Sequence, residues 1–489
     1  MPPVVAGSAP PSPNRSTCRP REHSNSTCAA PPWAPPPASP SRPAPATPGV
    51  SPPGGTTTPP PRPRSRPTCS LSCRALPRTW PTSAPSSPGP VPAPSTLTTS
   101  APNDHRARVA HEAVPAPSSP TSDPGVAVHL LDNPVKNYPW GSHTDIATLT
   151  ERPDPTLDPE AEMWLGAHPA GPSTLAGTGH SLAELIAADP LAALGADVLG
   201  RYGRRLPYLM KVISVARPLS LQVHPNAEQA ADGHSRGMYD DPWPKPELIC
   251  ALTPFTALAG FRPPEQAAML LDRLGMAELT EVSALLRAGA VREGFDLLLQ
   301  RRQITDRAVW AASAVHHPDY ALIARLARQY PGDPACLAPL LLRRHELHPG
   351  QALFLGAGVL HCYLKGFGVE IMGSSDNVVR AGLTGKPVDR AELLRITDPD
   401  ALPLRVLPAA TGEYETPSPE FRLRRIRHGT GWRLRGTAPR ILLCTTGTAS
   451  VDHVQLRQGQ SLFIPATHSP PTLGVDGEVF CAEPGTHAS

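Results

Sequence analysis

No run of about 18 apolar residues occurs in the chain, so no membrane-crossing helix is expected. The N-terminus lacks a charged region followed by an apolar core, and no secretory signal is expected. Nine cysteines are present, but none pair at zinc-knuckle spacing, and Cys69 and Cys73 have no second half. Cys250, Cys336, Cys362, Cys444 and Cys481 are widely spaced and mostly set in apolar runs. Free buried thiols in a reducing cytosol fit that pattern better than a disulfide framework. The net charge is only +3 and the arginines are scattered rather than striped, so neither nucleic acid nor a membrane is an expected partner.

Apolar runs are scarcest in the first 125 residues, which hold 34 of the 67 prolines. Stretches such as Pro31–Pro48 and Pro52–Pro67 cannot bury enough apolar surface to offset the entropy of ordering their backbone. Residues 1–125 therefore read as a disordered, Pro-rich N-terminal segment with a polyproline-like bias. Arg62, Arg64 and Arg66 read as solvated tail charge, and the triplets at Asn14 and Asn25 as chance matches to glycosylation acceptors. Alternating Pro, Ala, Arg, Ser and Thr is also what GC-rich non-coding sequence looks like when translated. An over-long reading frame, with translation starting near Val126 or Val128, is the reading adopted over a native extension.

From Val126 the pattern changes. Val126–Leu131 alternates as a strand does, and Ser181–Leu199 carries apolar residues at helical spacing, broken near Pro190. Tyr208–Ala216, Leu219–Val223, Leu248–Leu252 and Thr256–Gly260 read as strands. Helical stripes then occupy Gln266–Arg273, Leu279–Ala288, Val291–Arg301 and Tyr320–Gln329. Strands return over Ala352–Met372 and from Phe421 onward, at Arg440–Cys444, Ser461–Ile464 and Gly477–Ala482. Many short strands joined by Gly and Pro turns predict a mainly β fold of jelly-roll units. The expected division is a catalytic unit at 126–262 and 347–405, helices at 263–346, and a smaller C-terminal unit at 406–489.

Period two on Leu219–Val223 sends Ser220, Gln222 and His224 one way and Leu219, Leu221 and Val223 into the core. That suits a metal-lining strand, and equally a solvated polar face. Glu247, in Lys245-Pro246-Glu247, stands at a strand entrance, as a ligand or as an ordinary surface charge. His361 ends Pro349–His361, which reads as a turn, a strand and a Gly-rich bend leading into the histidine. Two imidazoles, a carboxylate and an amide oxygen suit zinc, with manganese, iron or cobalt as substitutes. Such a site binds adjacent hydroxyl and carbonyl oxygens. In Val369–Lys386, Arg380 offers a bidentate fork for phosphate and Lys386 a point charge, unless this is a generic basic loop. His345 and His348 are three apart and followed by Pro349-Gly350, so they do not form an HExxH zinc motif.

Tyr208–Pro225, Lys245–Arg262 and Pro349–Lys386 together resemble the signature blocks of the type I mannose-6-phosphate isomerases. Asn133–Ser142 and Glu162–Pro169 resemble that family's opening, and Tyr414–Phe421 its C-terminal domain. The likeness spans nearly all of 126–489 and none of 1–125. It implies two cupin-like jelly rolls with an inserted helical domain, and one zinc per chain. It also implies interconversion of mannose 6-phosphate and fructose 6-phosphate through a cis-enediol, feeding nucleotide-sugar synthesis such as that of GDP-mannose, or glycolysis.

Carried over by motif, Gln222, His224, Glu247 and His361 are zinc ligands and Arg380 is the catalytic arginine. Ser220, Lys245 and Lys386 engage the sugar phosphate. The proton-transfer base is open among Lys245, Glu370 and Asp376. Trp140 and His168 sit in family blocks, as packing or supporting residues. Many relatives have a histidine directly before Lys-Pro-Glu; Pro244 stands there in this chain, so a mechanism using that histidine is excluded. The rival readings are an isomerase of another aldose phosphate and a non-catalytic sugar-phosphate-binding protein. Deleting residues 1–125 should leave kcat and Tm unchanged; a large loss of either would make the segment part of the enzyme.

Overall fold

The computed structural model describes residues 127–485. The segment 1–125 and its expected disorder lie outside the described residues. The described part is mainly antiparallel β-structure, with two jelly-roll units and a block of helices placed between strands of the first. Among the described residues no helix is long and apolar enough to cross a membrane.

The first unit is organised around His361–Gly373, a strand of 13 residues that serves two sheets. Its first half pairs with Leu221–Val223 and Phe255–Phe261, its second half with Tyr208–Val215 and Glu247–Ala251. Gly366 lies where the strand passes between them, at φ +138°. A Cβ there would stand 2.7 Å from Phe255 Cα, so only glycine permits this crossing.

Tyr208–Val215 is buried along its whole length because both its faces are covered. Ile213 and Val215 point into the barrel interior with Ile249, Phe255 and Tyr363. Tyr208, Met210 and Val212 point outward and pack on Phe421, Leu443 and Phe480 of the second unit.

That second unit contains Arg422–Arg433, Arg440–Val451, Ser461–Ile464 and Thr472–Glu483. It also takes in His129–Asp132, which pairs with Ser461–Phe463, and Thr174–Leu175 beyond it. The alternation near the start of the described chain thus marks a real strand. Its partner lies more than 300 residues away, which no local pattern specifies.

The four expected helical stripes are helices at Pro264–Asp272, Thr280–Arg287, Val291–Gln300 and Pro318–Gln329. Ser181–Leu199 forms two helices, Leu182–Ala188 and Pro190–Tyr202, with a Ser181/Glu184 capping box opening the first. Several helices were not read individually from the sequence, among them Thr305–Ser313 and Ala227–Ser235. Thr305–Ser313 buries only Thr305, Ala308 and Ala312, so its stripe is too weakly apolar to register. Ala227–Ser235 announces itself mainly by its Asn226/Gln229 cap.

Leu342–Leu347, expected as the end of the helical block, is a strand paired with Phe255–Phe261. Its buried Leu342 and Leu347 bracket a polar stretch whose partner strand, not its composition, fixes the extended form. The helical core closes on Leu221, Val223, Leu258 and Leu360. The helices therefore cover the outer face of the sheet whose inner face carries the candidate site. Cys250, Cys336, Cys362, Cys444 and Cys481 are free and buried.

Candidate metal centre

Gln222 lies on Leu221–Val223 and His224 one residue past it, while Glu247 and His361 open the strands they belong to. The alternation holds for Leu221 and Val223, which pack on the helices. Leu219, expected with them, packs instead against the barrel-interior cluster. It precedes the strand, next to the Arg217-Pro218 turn, so the period does not extend that far. Gln222 and His361 are directly paired across strands, which puts their side chains on one face.

The ligand atoms offered by His224, Glu247 and His361 lie within 4.8 Å of one another, and all three residues are buried. His224 Nε2 is 3.1 Å from Glu247 Oε1, and His361 Nε2 is 3.4 Å from Glu247 Oε2. Each ring uses its other nitrogen on a backbone carbonyl: His224 Nδ1 on Asn377 O at 2.9 Å, His361 Nδ1 on Val359 O at 2.8 Å. A carbonyl only accepts, so the Nδ1 atoms carry the protons and both Nε2 lone pairs face the common centre.

Gln222 Nε2 is 3.4 Å from His361 Nε2, and Ser220 Oγ donates to Gln222 Oε1 at 3.2 Å. Turned about its last bond, the amide presents oxygen to the same point.

Two of these atoms, His224 Nε2 and Glu247 Oε2, are buried with no hydrogen-bond partner. Leaving such groups unsatisfied costs about 1–3 kcal/mol each. A divalent cation with a His, His, carboxylate and amide set resolves both, so the residues present fit zinc. Burial and the Lys245 charge push the His224 imidazole down to about 4, keeping it in the neutral, ligating form. Burial alone would raise Glu247, but Lys245, at 2.9 Å, and His224 outweigh it and hold the carboxylate well below its usual range.

The bend before His361 also positions the site. Gly358, at φ +76°, donates its N–H to His224 O at 3.0 Å. A Cβ at 358 would come within 2.8 Å of the Asp398 Cβ. The bend therefore ties the two histidine-bearing segments together as well as reversing the chain. Asn377, whose carbonyl orients His224, is itself clamped: its Nδ2 donates to Asp241 O at 2.7 Å and to Trp243 O at 3.0 Å.

A second charged row runs beside the first. Glu370 pairs across strands with Lys211, and Lys211 with Trp164. Lys211 Nζ lies 3.5 Å from both Glu162 and Glu370, and Trp164 Nε1 donates to Glu162 at 2.6 Å. Burial lowers Lys211, but the Glu162, Glu370 and Glu247 carboxylates outweigh it and raise it. Burial and the Glu247 charge push Glu370 up to about 7 against the opposing pull of Lys211.

Sequence reading passed over Lys211, Glu162 and Asn377. A lysine in the middle of YLMKVISV was the available signal, since a charge inside a buried strand requires partners.

The remaining candidates fall in graded positions. Lys245 is ion-paired to Glu247. Arg380 sits opposite Gln222 in register, half-buried, and burial lowers it with no carboxylate acting on it. Asp376 is half-exposed, 3.5 Å from the buried His168 Nε2. His168 Nδ1 accepts from Ala170 N, and the pair borders a cavity of about 520 Å3 with Arg205, Asp241 and Trp243. Lys386 is exposed, and its backbone N–H bonds Thr384 Oγ1. Trp140 packs against the barrel-interior cluster. His345 bonds the Ala259 carbonyl and His348 is exposed, so neither faces a metal.

Residues 128–264 match the family described as phosphomannose isomerase type I, catalytic domain. Mannose-6-phosphate isomerase of Escherichia coli (strain K12) is 35% identical over 382 residues, covering 71% of this chain and 97% of that protein. The Homo sapiens mannose-6-phosphate isomerase is 33% identical over 399 residues, covering 70% and 94%. A crystal structure of a mutant phosphomannose isomerase from Salmonella typhimurium superposes with a TM-score of 0.68 at 32% identity, covering 74% of this chain and all of that one. A zinc-bound mannose 6-phosphate isomerase structure gives 0.67 at 32%, covering 73% and 100%.

Proposed function

The chain belongs to the type I phosphomannose isomerase family, and from that premise we propose which of its groups carry each part of the reaction. It interconverts mannose 6-phosphate and fructose 6-phosphate through a cis-enediol, with zinc as its cofactor. The open aldose loses a proton at C2 and gains one at C1, while O2 gives up its proton and O1 acquires one. The side chains must therefore hold the two oxygens side by side and offer a base on the C1–C2 edge.

We assign zinc to Gln222, His224, Glu247 and His361. The observation that carries this is the convergence of two Nε2 lone pairs and a carboxylate on one buried point. Bound there, zinc supplies Lewis acidity toward the carbonyl and the enediolate oxygens. Glu370 is the base: a carboxyl pushed up to about 7 suits a group that takes a proton and returns it near neutrality. Lys245 is held by Glu247 at 2.9 Å, so it acts as a hydrogen-bond donor to a substrate oxygen rather than as the base. Asp376, half-exposed beside His168, is left at the edge of the site. Ser220 and Lys386 engage the sugar phosphate.

Arg380 brings a guanidinium with no carboxylate of its own to the strand position opposite Gln222. It offsets the negative charge that grows on the reacting oxygens. Arg380→Ala should lower kcat/KM for mannose 6-phosphate by about 100- to 1,000-fold. Arg380→Lys should recover only part, since it restores charge without the fork.

A coupled assay of zinc-loaded full chain with mannose 6-phosphate tests the whole reading. Binding without turnover would favour the non-catalytic sugar-phosphate binder. The catalytic unit is taken as 126–262 and 347–405 around helices within 263–346, with 406–489 as the C-terminal unit, except that His129–Asp132 and Thr174–Leu175 join the C-terminal sheet and Leu342–Leu347 joins the catalytic one. The free buried thiols fit a reducing, cytoplasmic setting.

A further inference from the structure

A second concave site lies on the other side of the metal-bearing sheet. Arg217 and Pro218, in the turn before the Gln222 strand, face Arg325, Arg328 and Gln329 of the helix Pro318–Gln329 across a cavity of about 360 Å3. None of the three arginines has an ion-pair partner among the described residues. Arg325 is pushed below its ordinary value by burial, with Arg328 adding to the push and only the Cys362 thiol opposing it. That thiol is no counter-charge: burial raises it to about 12, so it stays neutral.

The last turn of a helix favours a cation, which accounts for Arg328 on its own. It does not account for Arg217 arriving from a different element, nor for two arginines three residues apart that repel each other. All three side chains are exposed, so what sets them apart is that two separate elements bring three guanidinium forks to the rim of one pocket. Guanidinium groups bind phosphate oxygens bidentately, and the space exceeds what inorganic phosphate alone fills.

The cavity is separated from the zinc centre by the sheet itself. His361 points into the barrel, whereas its neighbour Cys362 belongs to the helical core and donates to Leu219 O at 3.1 Å. The turn is also gripped from the helix side, with Gln329 Nε2 and Tyr330 Oη both donating to Pro218 O, at 3.3 and 2.9 Å.

We propose that Arg217, Arg325 and Arg328 form a second anion site, distinct from the active site, that binds the phosphate group of a small phosphorylated metabolite. The proposal does not depend on the isomerase assignment. The test is calorimetric titration of zinc-loaded full chain with inorganic phosphate at about 0.15 M ionic strength, where diffuse surface attraction is screened. In the double variant Arg325→Gln/Arg328→Gln this phosphate component should weaken about tenfold or more, as the loss of charge-assisted hydrogen bonds requires. The kcat and KM for mannose 6-phosphate should stay at wild-type values.

Repeating the titration in Arg380→Ala separates phosphate held in the active site, and the arginine-cavity component should persist there. Unchanged phosphate binding in the double glutamine variant would overturn the proposal. So would full affinity in Arg325→Lys/Arg328→Lys, which would reduce the site to a diffuse positive field.

Discussion

Replacing His361 with alanine is expected to strip zinc from the protein and abolish isomerisation while leaving the fold in place. The imidazole contributes one of the converging lone pairs, with its Nδ1 anchored on Val359 O. Without it, Glu247 Oε2 and His224 Nε2, both already lacking partners, face an incomplete coordination shell.

Removing an outer-shell partner of a metal site alone costs about 10- to 100-fold in affinity or activity, so losing a ligand should exceed about 100-fold in kcat. Elemental analysis should find near-zero zinc where the wild type holds a stoichiometric amount. Far-ultraviolet circular dichroism should be unchanged, because His361 Cα stays paired with Gln222 and Ala259 in the sheet. The wild type should gain stability with added zinc, about 4 kcal/mol at a thousandfold excess over Kd, and the variant should not. Stoichiometric zinc or measurable turnover in the variant would remove His361 from the ligand set.

Glu370→Gln should lower kcat by about 100- to 10,000-fold, the usual contribution of a positioned general base. The amide keeps the shape of the carboxyl and cannot accept a proton from carbon. KM and zinc content should change little, since Glu370 lies in the row next to the ligands and not among them.

The base must be ionised to act, so activity should rise with pH through its titration. Burial and Glu247 place that titration at about 7 in the metal-free chain. Bound zinc adds positive charge nearby and favours the carboxylate, so the limb in the holoenzyme should lie lower. Glu370→Gln should remove that limb from the pH profile, and Glu370→Asp should keep it with partial activity. A Glu370→Gln enzyme within about tenfold of wild-type kcat would return the role to Lys245 or Asp376.

Much of the site was legible because strands write their faces with period two. Gln222 and His224 alternate with Leu221 and Val223, and the structure keeps that division. Glu247 and His361 could be named as candidates from their places at strand entrances. No local rule shows that Glu247, 23 residues beyond His224 and 114 before His361, ends between the two rings.

The missed parts share one cause. Lys211, Glu162 and Asn377 matter through partners from other strands and loops, and each looks like an isolated polar residue in one dimension. The same holds for His129–Asp132, readable as a strand but not as a member of the C-terminal sheet, and for Leu342–Leu347, whose extended form comes from pairing with Phe255–Phe261.

The sequence by itself determined the strand and helix periods, the helix break near Pro190, the Gly-rich bend before His361, and four donor residues of zinc-binding type. Those follow from side-chain chemistry and from backbone preferences that act within a few residues. Only the tertiary structure decided which donors meet, which nitrogen of each imidazole is free, and that the Glu370 carboxyl is pushed up while Lys245 is tied to Glu247. Lone-pair direction, burial and charge neighbours are set by long-range strand pairing, and they are properties of the assembled barrel rather than of any segment in it.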